Sequence, residues 1–263
     1  MTMKDIKDVP TNMHTHTVRC KHAEGEEYEY VEKAIEAGYK ILGFSDHSPY
    51  ILLDGRTSRI RMDMWELEGY VDSIESLKDR YKDDITIYTG LEMEYFPLTF
   101  DETYEKISGY PLDYFILGQH FLENEGSYSY VGQLTNDEKR LEQYVDNILE
   151  GLKKDIFLYV AHPDLINFAG DNEVFNRHMN RLLMEFERRN MPTEVNLGGL
   201  GIDRWYPSER MMKLAANAEC QFIIGVDAHE PKELVDYDLY DRAYEWITNL
   251  NGKVVKGRYL SQR

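Results

Sequence analysis

Short apolar runs alternate along the chain with longer segments whose apolar residues recur every three to four positions. The short runs, rich in Val, Ile, Phe and Tyr, read as strands; the longer segments read as amphipathic helices. The spacing predicts a first strand over Val9–His14. A helix follows over Glu26–Ala37, with Tyr28, Val31, Ala34 and Ile35 on its apolar face and Gly38 as its stop. Lys40–Ser45 is the second strand, and Asp63–Tyr81 a long helix with Trp65, Val71, Ile74 and Leu77 as core contacts. Ile85–Thr89 is the third strand, Asp101–Ser108 a short helix and Tyr114–Gly118 the fourth strand. The second half continues with a helix over Asn136–Lys153, capped by Thr135 or Asn136, and a fifth strand over Ile156–Ala161. Then come a helix over Glu173–Asn190, a sixth strand over Pro192–Asn196, a helix over Pro207–Ala218, a seventh strand over Gln221–Val226 and a closing helix over Lys232–Asn249. Strands alternating with helices imply parallel βα units. Seven of them point to a barrel-like closed sheet, with a doubly wound open sheet as the alternative.

Polar residues at the strand ends change the picture. His14, His16, His47, His120, His162 and His229 all fall at or just past the C-terminal ends of predicted strands, as do Glu92 and Asp227. At the two-residue period of a strand, His14 and His16 share one face. In a parallel barrel the strand ends form one rim, where active sites assemble. His22, in the loop after the first strand, can fold back over the same mouth. His178 lies mid-helix, four residues from Val174 and Leu182, and reads as a structural histidine. Seven histidines and two carboxylates exceed the needs of one four-coordinate zinc. They suit two or three borderline cations such as Zn²⁺, Fe²⁺ or Mn²⁺, with Glu92 placed to bridge. Clustered cations of this kind activate water and clamp a phosphoryl oxygen.

Composition narrows the partners. The formal net charge is −18, from 48 acidic and 30 basic residues in 263. Such a surface repels phosphate backbones and argues against a general nucleic-acid binder. A locally positive metal site in an acidic protein favours a small anionic substrate. Cys20 and Cys220 lie far apart, which fits no disulfide framework and agrees with a reducing, cytoplasmic setting. Cys20 reads as a small packing residue rather than a nucleophile. No apolar run approaches the ~18 residues of a membrane span, and no signal-like core follows Met1. Without repeats or linkers, residues 1–263 read as one domain. Oligomeric state is left open.

The motifs, taken in order, carry a resemblance. His14-Thr15-His16-Thr17 through Cys20-Lys21-His22-Ala23-Glu24-Gly25 resembles the opening motif of the PHP (polymerase and histidinol phosphatase) superfamily, and within it the histidinol-phosphate phosphatase branch. Ser45-Asp46-His47, Gly90-Leu91-Glu92-Met93-Glu94-Tyr95, Gly118-Gln119-His120, Ala161-His162-Pro163-Asp164, Glu194-Val195-Asn196 and Asp227-Ala228-His229 come after it in the family order. The resemblance implies a distorted seven-stranded (β/α) barrel with a trinuclear divalent metal centre. His14, His16, Glu92 and Asp227 would hold the first metal; Glu92, His120 and His162 the second; His22, His47 and His229 the third. Two departures leave the ligands intact: Val226 stands where relatives often carry serine, and the fourth strand ends in the shorter Gly118-Gln119-His120.

The implied reaction is hydrolysis of L-histidinol phosphate to L-histidinol and phosphate, a late step of histidine biosynthesis. A metal-bridging hydroxide would attack phosphorus, with Glu92, Asp227 and His229 in the catalytic centre. Arg204, and after it Arg19, is expected to grip phosphate in a bidentate manner. Asn196, sharing a strand face with Glu194, is expected to contact substrate. Arg56, Arg59 and Arg61 read as loop or helix-start residues. Three other readings compete. An amidohydrolase-type barrel also opens with a His-x-His pair, but typically places lysine at the fourth strand end, where this chain has Gln119-His120. A PHP phosphoesterase acting on nucleotides would sit poorly with the acidic surface. A non-catalytic metal binder would need a closed ligand set.

Overall fold

Eight parallel strands lie side by side in chain order in this computed structural model, which describes residues 11–126 and 128–255. They are β1 (Thr11–Asn12), β2 (Ile41–His47), β3 (Thr86–Met93), β4 (Tyr114–Leu117), β5 (Phe157–Val160), β6 (Thr193–Asn196), β7 (Gln221–Gly225) and β8 (Lys253–Val254). The helices are α1 (Glu27–Ala37), α2 (Leu67–Arg80), α3 (Phe100–Ile107), α4 (Glu138–Leu152), α5 (Asn172–Arg188), α6 (Leu197–Gly201), α7 (Glu209–Asn217) and α8 (Tyr237–Asn249). None is long and apolar enough to cross a membrane. The architecture is the α/β barrel expected from the sequence. The differences are local. Val9 and Pro10 of the predicted first strand lie outside the described residues. β2 and β3 run further than predicted, so that His47 ends one strand and Glu92 sits inside the other. The hydrophobic pattern does not predict α6 or β8, since five and two residues are too few for a readable period.

The helices follow their apolar spacing. α4 buries Leu141, Tyr144, Val145, Ile148 and Leu152, and α5 buries Phe175, Met179, Leu182, Leu183 and Phe186, each on one face. Each fully buried side chain of this kind contributes about 1.5–3 kcal/mol. The cap of α4 is Asp137, whose carboxylate accepts from the Lys139 N–H, rather than Thr135 or Asn136. α1 stops at Gly38, where φ is 86° and a side chain would be strained. Trp65, expected in the core, is 78% exposed, because a 3-10 turn over Met64–Glu66 precedes α2 and turns its ring outward. His178 is buried on α5 against Glu138, 3.1 Å away, clear of the strand ends.

The sheet closes on itself just beyond β1 and β7. Thr15 bridges Ala228 in parallel register, with His16 N–H donating to Ala228 O at 2.9 Å and Ala228 N–H to His14 O at 3.2 Å. Asn12 locks this seam. Its Oδ1 accepts from Val226 N–H (2.9 Å) and His14 N–H (3.2 Å), while its Nδ2 donates to Thr15 Oγ1 (2.8 Å) and His14 O (3.1 Å). Asn12→Ala would leave buried backbone groups without partners, at a cost of about 2–3 kcal/mol. The expected result is a lower denaturant midpoint together with faster hydrogen exchange at the Val226 amide.

Candidate metal centre

The rim at the C-terminal strand ends gathers the nine candidate ligands, five of the histidines around Glu92, which β3 carries into the barrel mouth. His47 Nδ1 lies 2.9 Å and His162 Nε2 3.0 Å from Glu92 carboxylate oxygens. The Nε2 atoms of His14, His16 and His120 lie 3.7, 3.6 and 3.8 Å away. Asp227, from the loop after β7, brings Oδ1 to 3.0 Å from His16 Nε2 and 3.3 Å from His14 Nε2. His22 and His229 stand at the opening with their Nε2 atoms 3.0 Å apart. His14, His16, Glu92 and His162 are almost fully buried, whereas the His229 ring is 25% exposed, so the cluster grades from dry floor to wet mouth. Two ligands sit on left-handed backbone, His162 at φ 31° and Asp227 at φ 56°. Non-glycine residues adopt that conformation at a cost that surrounding structure must offset, which is common at functional sites.

A surrounding set of groups aims the ligands. His14 Nδ1 meets Glu194 Oε1 at 2.8 Å, and Glu194 Oε2 accepts the His162 N–H at 2.6 Å. His16 Nδ1 faces Asp46 at 3.5 Å without a hydrogen bond, and Asp46 is itself held by the Thr17 hydroxyl and by the His47 N–H. Glu94 Oε2 accepts from the His120 and Phe121 N–H groups, and its Oε1 is paired at 2.6 Å with Arg61 Nη2. Cys20 O and Asp227 O anchor the Nδ1 atoms of His22 and His229 at 2.7 and 3.0 Å. Fixing one ring nitrogen leaves the other in a defined tautomer facing a metal.

The donor chemistry fits divalent cations. His14 Nε2, both ring nitrogens of His16 and both Glu92 oxygens are buried without a hydrogen-bond partner. Buried polar atoms are otherwise almost always satisfied. These atoms approach one another closely yet are misaligned for hydrogen bonding, as donors sharing a cation are. Several triads of these side chains, including His14-His16-Glu92 and His14-His162-Asp227, are close enough to hold one ion. A Cβ on Gly118 would meet Glu92 Oε1 at 1.8 Å, so glycine at this strand end is what admits the Glu92 carboxylate. Electrostatics agree. Burial opposes ionisation of Glu92, but His120, His47 and His14 hold its carboxyl well below the usual range. Burial also lowers His14, yet Asp227, Glu194 and Glu92 raise it well above the imidazole range. Burial and neighbouring His16 instead push His229 down to about 3, leaving a neutral ligand. The acids demand positive charge, and imidazoles are poised to share it with cations.

The ligands open onto a cavity of about 350 Å³, walled also by Ile60, Phe121, Tyr130, Leu165, Arg204, Tyr206 and Glu233. Arg204 stands on this wall, as its sequence position predicts, with Nη1 donating to the Tyr206 hydroxyl at 3.2 Å. Two expected substrate contacts are elsewhere. Arg19 does not line the cavity; its guanidinium pairs with Glu27 and lies over the Tyr70 ring. Asn196 is fully buried: Nδ2 donates to Glu194 Oε2 and Asp227 Oδ2, both at 3.1 Å, and Oδ1 accepts the Gly199 N–H, capping α6. It positions two acids instead of touching substrate. Glu194 likewise lies beneath His14 and His162. Gln119 is spent on the backbone of Tyr95 and Phe121. Arg61, expected to be a loop residue, is 1% exposed and paired with Glu94 and Glu125. Glu94 had a legible signal, standing two residues past Glu92 and just beyond the end of β3. The wall residues had none.

The PHP domain family matches residues 12–197, most of the chain and all the strand ends from the first to the sixth. The chain belongs to the PHP family. Its similarity to curated PHP relatives runs nearly end to end. It is 26% identical to a "Probable histidinol-phosphatase" of Deinococcus radiodurans, over 94% of this chain and 95% of the relative. It is 26% identical to the "Histidinol-phosphatase" of Bacillus subtilis, over 82% of this chain and 92% of the relative. Among solved structures, the histidinol phosphate phosphatase of Lactococcus lactis, complexed with zinc, L-histidinol and phosphate, superposes with a TM-score of 0.70 at 17% identity. It covers 95% of this chain and 97% of that one, and shows that the two share a fold.

Proposed function

We propose that this PHP protein is a metal-dependent phosphomonoesterase that hydrolyses L-histidinol phosphate to L-histidinol and phosphate, serving histidine biosynthesis. The observation that carries the reading is the set of buried, unpartnered His14, His16 and Glu92 atoms packed against His47, His162, Asp227 and His229, which line an open cavity. A closed structural site would leave no room beside the ligands; this one does. The histidinol-phosphatase names of the full-length relatives supply the substrate.

Three divalent cations, Zn, Fe or Mn, fit the donors. His14, His16, Asp227 and Glu92 would hold the first, Glu92 with His120 and His162 the second, and His22, His47 and His229 the third. The short approaches of His14 and His16 to Asp227, and of His162 to the other Glu92 oxygen, support the first two groupings. The chemistry such cations supply when bound is a water activated to hydroxide at neutral pH for attack on phosphorus, with neutralisation of the phosphoryl oxygens. The chain's own part is positioning. Glu92 spans two cation positions, Asp227 and His229 bring the last loop to the cluster, and Arg204 stands on the cavity wall to grip a phosphate oxygen. Phe121, Tyr130 and Tyr206 offer faces against which the leaving alcohol can pack while water is excluded.

Metal analysis joined to a phosphate-release panel tests this. The purified protein is expected to carry transition metal, to lose activity with a chelator and to regain it on adding Zn²⁺, Mn²⁺ or Fe²⁺. L-Histidinol phosphate is expected to exceed other amino-alcohol phosphates and nucleotides in kcat/KM by about tenfold or more. Equal turnover of every phosphomonoester would sink the substrate assignment. Protein that takes up no metal under any loading would sink the whole reading.

A further inference from the structure

We infer that Glu233 selects substrates bearing an ammonium group beside the phosphate, by pairing its carboxylate with that group. The inference rests on the histidinol phosphate reading and deepens it. Among the described residues lining the cavity, Asp227 and Glu233 are the carboxylates, and Asp227 belongs to the ligand set. Glu233 is thus the one acid there left to face a substrate. It is also held in place. Its Oε2 accepts the His229 N–H at 2.7 Å and the Glu230 N–H at 3.1 Å, while neither of those bonds uses Oε1.

The bland account is that Glu233 only closes the capping box of the 3-10 turn over Pro231–Val235. That role needs an acceptor oxygen and no charge; glutamine serves it equally. A carboxylate at the cavity wall beside a metal cluster does something a neutral amide cannot, which is to attract a cation. Its position suits the substrate. In L-histidinol phosphate the ammonium is on the second carbon from the ester oxygen, so its partner must stand next to the phosphate site and not across the cavity. Glu233 is hydrogen-bonded to the backbone of His229, a ligand of the cluster. Phe121, Tyr130 and Tyr206 remain for the imidazole ring, and Arg204 for the phosphate, so the three parts of the substrate meet three chemically matched walls.

Glu233→Gln keeps both backbone acceptor bonds and removes the charge. Metal-loaded wild-type and variant protein would be assayed on L-histidinol phosphate, on 3-(imidazol-4-yl)propyl phosphate, which lacks only the amino group, and on p-nitrophenyl phosphate, with metal content measured alongside. Wild type is expected to prefer the amino substrate by about tenfold or more, mainly through KM. The variant is expected to lose most of that preference at unchanged metal stoichiometry. Equal losses on both imidazole substrates, or lost metal, would reduce Glu233 to a loop support and overturn the proposal. So would a variant that keeps the full preference, or a wild type that has none. A wild type that cleaves p-nitrophenyl phosphate but neither imidazole substrate would overturn the histidinol phosphate reading itself, and this inference with it.

Discussion

Glu92→Gln is expected to lower kcat/KM for phosphomonoester hydrolysis by about a thousandfold or more and to reduce bound metal. Each Glu92 oxygen faces a different group of imidazoles: Oε2 faces His14, His16 and His47, and Oε1 faces His120 and His162. An amide of the same shape keeps one weak oxygen donor and removes the charge that both groups of imidazoles face, and with it the proposed bridge. Stability separates this from simple misfolding. In metal-free protein the imidazoles of His120, His47 and His14 stabilise the buried Glu92 carboxylate. Stripped of metal, the glutamine variant is therefore expected to be less stable than stripped wild type yet still to unfold cooperatively. Metal addition should raise the melting temperature of wild type and leave the variant almost unmoved. A variant that binds the full metal complement and keeps wild-type turnover would refute the bridging role.

Arg61→Met should produce the largest loss of stability, about 3–5 kcal/mol near neutral pH. Arg61 is 1% exposed and lies between Glu94 (2.6 Å) and Glu125 (2.9 Å), and Glu94 is 2% exposed. Removing the guanidinium strands a buried carboxylate beside His120. The loss should depend on pH. Burial raises the Glu94 carboxyl, but Arg61 and His120 bring it below the ordinary value. A carboxyl depressed in the folded state stabilises above the unfolded pKa of about 4.3 and loses that contribution as pH falls through the folded value. Wild type and Arg61→Met should thus converge in stability as pH falls below the ordinary carboxylate range and through the depressed folded value of Glu94. Adding Glu94→Gln, which removes the stranded charge and keeps an acceptor for the His120 and Phe121 N–H groups, should recover part of the loss. Denaturant melts across pH 3–8 measure both effects. Equal destabilisation at every pH, with no recovery in the double variant, would show that Arg61 acts by packing alone.

The barrel and the meeting of the candidate ligands at its rim are legible because each is written locally. A strand is a short apolar run, and residues just past its C-terminal end must lie on the rim, so His47, His120, His162 and His229 can be placed from their neighbours alone. Glu92 and Asp227 are found by the same logic. Pairing between distant segments cannot be read this way. Glu194 aims a histidine 180 residues away, and Asn12 accepts from a backbone group 214 residues away. No local pattern records such a partner, so strand alternation points Glu194 and Asn196 at substrate, whereas they face inward toward other acids and imidazoles. Arginine is the least legible residue. Arg19, Arg61 and Arg204 all lie in loops or short turns near motifs, yet one pairs with a helix-start glutamate, one is buried between carboxylates and one reaches the cavity. Trp65 fails for a related reason: helical spacing assigns it a buried face, but the regular helix begins two residues later, at Leu67.

The seam beside Asn12 fixes the order of events during synthesis. His14 and His16 leave the ribosome early, while Asp227 and the strand that carries it emerge much later. A nascent chain therefore cannot bring His14 and His16 against Asp227 until that strand has been made. Ring closure is a late step in the life of the molecule, and a chain stopped short of its seventh strand would lack both Asp227 and the Val226 amide that Asn12 accepts.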